Sequence, residues 1–270
     1  MTMTRVLKSF LLTVLTVTGI NMPIFAQQEW RTWGSLNLNV PLTKKIDVRV
    51  GHLRSYGINT GFNNNFNQIK LEVGYDLPKR WDVSLGSLFM QFPSSAKTTV
   101  RGYVEVSRKI KLSKQLNWFN TLHLETNSAN ENRFRNRVVL STRLGLTDRL
   151  AFLKLAPSIA YSLYYNSGGS TVDYYDTNSQ LIISQSPNGF HRGRLTVAVN
   201  SKISKAFRIS LYYLNQNEFN LGSNKLREMN VLDPTTGKTQ KSFSNYNVVG
   251  LTLSFTLGNG GHNPLFNTGD

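Results

Sequence analysis

Phe66-Asn67-Gln68-Ile69-Lys70-Leu71-Glu72-Val73-Gly74-Tyr75-Asp76-Leu77 is the stretch whose reading decides the fold. Successive side chains of an extended chain point to opposite sides. Ile69, Leu71, Val73, Tyr75 and Leu77 therefore share one face, and Gln68, Lys70, Glu72, Gly74 and Asp76 share the other. Globular strands are usually ~5–6 residues long. This run is longer, and ~9–11 residues suffice to cross a bilayer at a steep tilt.

Two further runs repeat the pattern. In 133–146, Phe134, Val138, Leu140, Leu144 and Leu146 oppose Arg133, Arg135, Arg137, Ser141 and Arg143. In 192–203, Leu195, Val197, Val199 and Ile203 oppose Arg192, Arg194, Thr196, Asn200 and Lys202. Weaker alternation covers 33–42, 46–56, 81–92, 99–110, 116–126, 150–165, 207–219 and 246–257, which makes eleven readable strands. In 150–165, the phase that keeps Lys154 off the apolar face puts Leu153, Leu155, Pro157, Ile159, Tyr161 and Leu163 outward.

The connections alternate as well. Residues 43–45, 78–80, 113–115, 147–149 and 204–206 read as tight turns, whereas 57–65, 91–98, 127–132, 166–190 and 220–245 are longer polar loops. Short turns on one side and long loops on the other characterise outer-membrane barrels. Trp81, Trp118, Phe152 and Phe207 follow the turns closely, and Tyr56, Phe89, Phe92, Tyr164, Tyr165 and Phe219 sit at the opposite strand ends. These positions suit two interfacial aromatic girdles.

Residues 1–26 read as a secretory leader, with Arg5 and Lys8, then an apolar stretch, then Pro23-Ile24-Phe25-Ala26 at the cut. The domain expectation is a leader at 1–26, a barrel at 27–257 and a short tail at 258–270. The chain carries +16, or +14 without the leader, and the excess favours anionic partners. Export argues against nucleic acid and for lipid headgroups or acidic solutes. With no Cys, no disulfide framework is available.

Alternation alone leaves the direction of the apolar face open. The polar face mixes Arg with Gly, Ser, Thr and Asn, while Lys44, Lys45, Lys79, Lys109, Lys111, Lys114, Lys202 and Lys205 collect near the turns. An Arg or Lys facing the bilayer midplane costs roughly 2–4 kcal/mol, and the apolar faces of the clearest strands carry none. The expectation is an all-β, transmembrane, antiparallel up-and-down β-barrel with its polar face inside. Single-chain bacterial barrels have even strand numbers, so twelve strands are expected, with ten as the alternative.

The lumen then receives Arg101, Arg133, Arg135, Arg137, Arg143, Arg192 and Arg194 as candidate binding residues, together with Arg49, Lys70 and Arg208. Asp47, Glu72, Asp76, Asp82, Glu105, Glu125 and Glu218 face them. Such a set is either a structural salt-bridge network or an Arg-lined path for small acidic solutes. Two other functions remain open: a surface-binding barrel using 166–190 and 220–245, and a lipid-modifying enzyme. The enzyme is disfavoured, because His52, His123, His191 and His262 show no His-x-Ser spacing. No metal cluster, phosphate loop or calcium loop is present in the sequence, and no cofactor is expected. Asp173-Tyr174-Tyr175-Asp176 reads as a solvated or hairpin-forming loop segment.

Trp30 and Trp33 before paired strands, Asn132-Arg133-Phe134-Arg135-Asn136-Arg137, and Asn217-Glu218-Phe219 closing a late strand together resemble the outer-membrane family called domain of unknown function 2490. The resemblance spans about residues 29–257 and implies a barrel in the outer membrane, without catalytic residues. The Arg-lined interior is similar in architecture to twelve-stranded porins for acidic oligosaccharides. Gly250-Leu251-Thr252-Leu253-Ser254-Phe255 resembles the last-strand signal read by the barrel-assembly machinery, with Val248 where that signal has a polar residue. The barrel is expected to act as a monomer.

Overall fold

The computed structural model describes residues 29–93, 97–128, 134–146, 155–169, 172–175, 178–185, 188–219 and 244–258. The expected leader, the turn at 147–149, Arg133 and Phe152 lie outside the described residues, as does nearly all of the tail.

Thirteen strands are described: β1 (Glu29–Pro41), β2 (Ile46–Gly57), β3 (Asn63–Leu77), β4 (Trp81–Gln91), β5 (Thr98–Lys111), β6 (Leu116–Asn127), β7 (Asn136–Leu146), β8 (Leu155–Ser167), β9 (Val172–Tyr175), β10 (Leu181–Gln185), β11 (Gly189–Lys202), β12 (Phe207–Glu218) and β13 (Tyr246–Thr256). β9 and β10 form a separate two-stranded hairpin, so the Asp173 loop segment is hairpin-forming. The other eleven close a barrel in chain order.

The barrel is thus neither twelve- nor ten-stranded among the described residues. The eleven strands readable in the sequence are the eleven in the wall. Its wall is also not wholly antiparallel. An odd number of up-and-down strands leaves the first and last running the same way, so the ring can close only through a parallel pair. β1 and β13 make that pair, in register from Glu29↔Tyr246 to Asn39↔Thr256. Parallel ladders are only slightly less stable per residue, and closure removes both exposed edges. The even-number rule was the wrong guide here.

Three of the tight turns share one construction. Thr43 Oγ1 accepts from the amides of Lys45 (3.1 Å) and Ile46 (3.0 Å). Ser113 Oγ does the same for Gln115 and Leu116, both at 3.1 Å. Ser204 Oγ accepts from Ala206 (3.2 Å) and Phe207 (3.0 Å). A hydroxyl at the first turn position satisfies amides that the ladder leaves free. The turn at Pro78–Arg80 is different, because Lys79 (φ 60°) and Arg80 (φ 64°) both adopt left-handed backbone.

The direction of the faces is unambiguous. Leu85 is 64% exposed and Val73 50%, on the outside of the wall, whereas Asp47 is 0% and Glu72 3% exposed. Hydrophobic side chains cover the exterior and charged ones fill the interior. β2 interrupts this exterior, because His52 and Arg54 also face outward, Arg54 donating to Asn67 Oδ1 at 2.9 Å.

The interior is not uniformly polar. Trp33, Ala198, Tyr212, Leu214, Tyr246 and Val248 form a buried cluster, with Leu53 and Phe66 packed against it. These residues lie on the inward phase of β1, β11, β12, β13, β2 and β3. Val248, the departure from the last-strand signal, fills this cluster. Tyr164, expected in the outer girdle, is also buried inside.

Candidate functional site

The inward phase of β2 to β6 carries the acids. Arg49 on β2 bonds Asp47 on its own strand and Glu72 on β3 (Nη1–Oε1, 2.6 Å), with Asp82 of β4 at 3.5 Å. Lys70 Nζ reaches the other oxygen of Glu72 at 2.9 Å. Tyr103 OH of β5 donates to that same oxygen at 2.6 Å. One buried carboxylate is thus held by three strands, the arrangement a carboxylate needs to stay charged away from water.

Glu105 and Glu125 hold His123 between them, Nδ1 to Glu105 at 3.2 Å and Nε2 to Glu125 at 3.5 Å. Tyr103 stacks on the imidazole, ring centroids 4.6 Å apart. Both ring nitrogens of His123 thus face carboxylates.

Glu125 also meets Arg101 (3.3 Å) and Arg137 (3.5 Å), and Arg137 Nε donates to Asn166 Oδ1 at 3.0 Å. From β7 to β12 the inward charges are mainly cations. Arg192 pairs with Glu218 at 2.6 Å. Arg194 donates to three neutral acceptors: Gln216 Oε1 (2.8 Å), Tyr164 OH (3.0 Å) and Tyr246 OH (3.1 Å). Aromatic faces help to hold the row, Arg137 lying 3.8 Å over Phe134, Arg194 5.0 Å over Tyr164 and Arg143 4.2 Å over Phe119.

Of the seven arginines expected in the lumen, the structure brings Arg101, Arg137, Arg143, Arg192 and Arg194 inside. Arg133 is not among the described residues. Arg135 precedes β7, which starts at Asn136, and stands exposed at the rim. Of the row Arg133, Arg135 and Arg137, Arg137 is the member that lies within the wall of β7. Sequence reasoning missed the aromatic residues of the inward phase, Tyr103, Phe119, Trp33 and Tyr246, which position the charges. The signal was present, since each sits two positions from a charged or polar residue of the same face.

In the pairs of Arg49, Lys70 and Arg192 the cation is clearly the more exposed member, whereas in His123–Glu105 and Arg31–Glu29 the carboxylate is. Arg49 is 14% exposed against 1% for Glu72, and Arg192 16% against 5% for Glu218. The same order holds for Lys70 over Glu72, and for Arg101 and Arg137 over Glu125. Glu72 and Glu218 are sealed against the wall, and Arg49, Lys70 and Arg192 lie over them.

A closed barrel, apolar outside and charged within, is the class that fold and site define. The chain belongs to the family described as protein of unknown function (DUF2490), whose model matches residues 30–227. No curated protein matches the sequence. Among solved structures, one described as the NanC porin in a rhombohedral crystal form is similar at a TM-score of 0.45 and 14% identity, covering 85% of this chain and 100% of that one.

Proposed function

We propose that this is an outer-membrane protein, spanning the bilayer as a monomeric barrel whose lumen passes small anions, carboxylates foremost. An exterior of exposed Leu, Val and Ile on strands of 11–15 residues supports a hydrocarbon surrounding. Export through the N-terminal leader and folding by the barrel-assembly machinery complete this reading.

The observation that carries the anion preference is the ordering of charge in the Arg49, Lys70 and Arg192 pairs. Solvent entering the lumen meets Arg49, Lys70 and Arg192 before their carboxylates. Rings of Arg and Lys favour anions in pores. The apolar cluster around Trp33 and Tyr212 fills one side of the interior, so the passage is narrow and selects small solutes. His123, clamped by Glu105 and Glu125, supports a structural part for the imidazole and a non-catalytic lumen.

The test is a planar-bilayer recording of the mature chain in a salt gradient. The reading expects discrete channels whose reversal potential shifts toward the chloride equilibrium, with conductance reduced by small carboxylates. No conductance, or cation preference, overturns it.

A further inference from the structure

We infer that the turn-side surface of β3 to β6 is a binding site for the phosphate of an anionic phospholipid, an inference that rests on the membrane reading above. Lys79, Arg80, Trp81, Arg108, Lys111 and Trp118 are all exposed there. Trp81 and Arg108 are direct cross-strand partners on β4 and β5, and the guanidinium lies 5.1 Å from the ring centroid. On the next strand pair, Trp118 stands opposite Ile110 and its indole N–H donates to Thr142 Oγ1 at 2.6 Å. The two indoles, two residues apart along β5, mark where the headgroup layer runs, and four cations gather near them.

The cations are crowded. Lys79 and Arg80 form the turn after β3, and Arg108 and Lys111 end β5, so this sector gathers positive charge from both turns. Among the described residues of the turn side, no Asp or Glu points outward; Asp47, Asp76 and Asp82 all face the interior. An external anion is what such a cluster lacks.

The backbone gives a second, independent argument. Lys79 and Arg80 are consecutive non-glycine residues in left-handed conformation, a geometry that Asn-Gly adopts without strain. The turns at Thr43, Ser113 and Ser204 contain no positive-φ residue. The strained turn is the one that presents two adjacent cations beside an indole. Bidentate guanidinium–phosphate bonding, from Arg80 and Arg108, is the contact this geometry suits.

The experiment scores lipid retention in detergent by native mass spectrometry, with phosphatidylglycerol and phosphatidylcholine as probes. The wild-type barrel should retain phosphatidylglycerol preferentially. Lys79→Asn with Arg80→Gly relaxes the turn, so this variant should fold at least as well as the wild type. Adding Arg108→Gln should weaken phosphatidylglycerol retention on the order of a hundredfold, as expected for three interfacial cations. Lys44→Gln with Lys205→Gln, in the unstrained turns, should leave the preference intact. Equal retention of the two lipids by the wild type overturns the inference, as does an unchanged preference in the triple variant. An equal loss in the Lys44/Lys205 variant also overturns it, since the effect is then diffuse rim charge. Retention of neither lipid would instead strike the membrane reading itself.

Discussion

Arg49 and Glu72 meet across the β2–β3 pair with Nη1 and Oε1 2.6 Å apart, and Arg49 serves Asp47 as well. Removing one partner of a buried pair leaves the other charge uncompensated, at a cost of roughly 3–5 kcal/mol. Arg49→Met should destabilise the barrel by about that amount, measured as a shift in the urea midpoint for unfolding from liposomes. An unchanged midpoint would mean that the β2–β4 carboxylates are satisfied without Arg49.

Gly250 on β13 lies directly opposite Tyr212 on β12, and the tyrosine ring covers the glycine backbone. A Cβ at Gly250 would collide with that ring, which belongs to the buried cluster. Gly250→Ala should cost ~1–3 kcal/mol through overpacking. Gly34→Ala, where a Cβ meets nothing within 4 Å, should stay within about 0.5 kcal/mol of wild type. Equal effects at both positions would contradict the packing described here.

The strands and the direction of their faces were legible because both follow from period-two alternation. Leu71 and Glu72 alone state which residue meets the outside. The lumen acids were legible for the same reason, since Asp47, Glu72, Asp82, Glu105, Glu125 and Glu218 keep the inward phase and are all buried. The interior apolar cluster was not. Trp33, Leu53, Leu214 and Val248 sit on the polar phase and read in sequence as lapses of alternation. Pairing partners are a property of closure, not of any one strand, so the parallel seam was hidden as well. Arg135 shares the phase of Arg137 but lies beyond the end of the strand, where phase no longer fixes direction.

The parallel seam makes a cross-linking prediction that the absence of native Cys makes simple to test. Gly34 faces Leu251 and Leu38 faces Phe255 in the β1–β13 register. Gly34→Cys with Leu251→Cys, and separately Leu38→Cys with Phe255→Cys, should each give an oxidised intramolecular cross-link. An antiparallel closure would not align both pairs, so formation of only one would refute the seam.

Arg194 offers the sharpest test of the lumen charge. A unit charge is worth about 1 kcal/mol to an anion 4 Å away in water, or roughly fivefold in partition. Arg194→Gln should therefore lower the anion-to-cation permeability ratio by about that factor, read from reversal potentials. Arg194→Lys should retain most of the preference. A ratio unchanged in Arg194→Gln would place the selectivity elsewhere.

Leu71, Val73, Leu122 and Leu124 take the outward phase of β3 and β6, and Glu72 and His123 the inward phase. Spin labels placed singly at positions 71, 72, 73, 122, 123 and 124 of the liposome-reconstituted barrel report this through collision with oxygen, which partitions into hydrocarbon, and with a water-soluble nickel chelate. Labels replacing Leu71, Val73, Leu122 and Leu124 should collide mainly with oxygen, and those replacing Glu72 and His123 should be shielded from it. Dominant collision with the nickel chelate at the leucine and valine positions would contradict the inside-out arrangement.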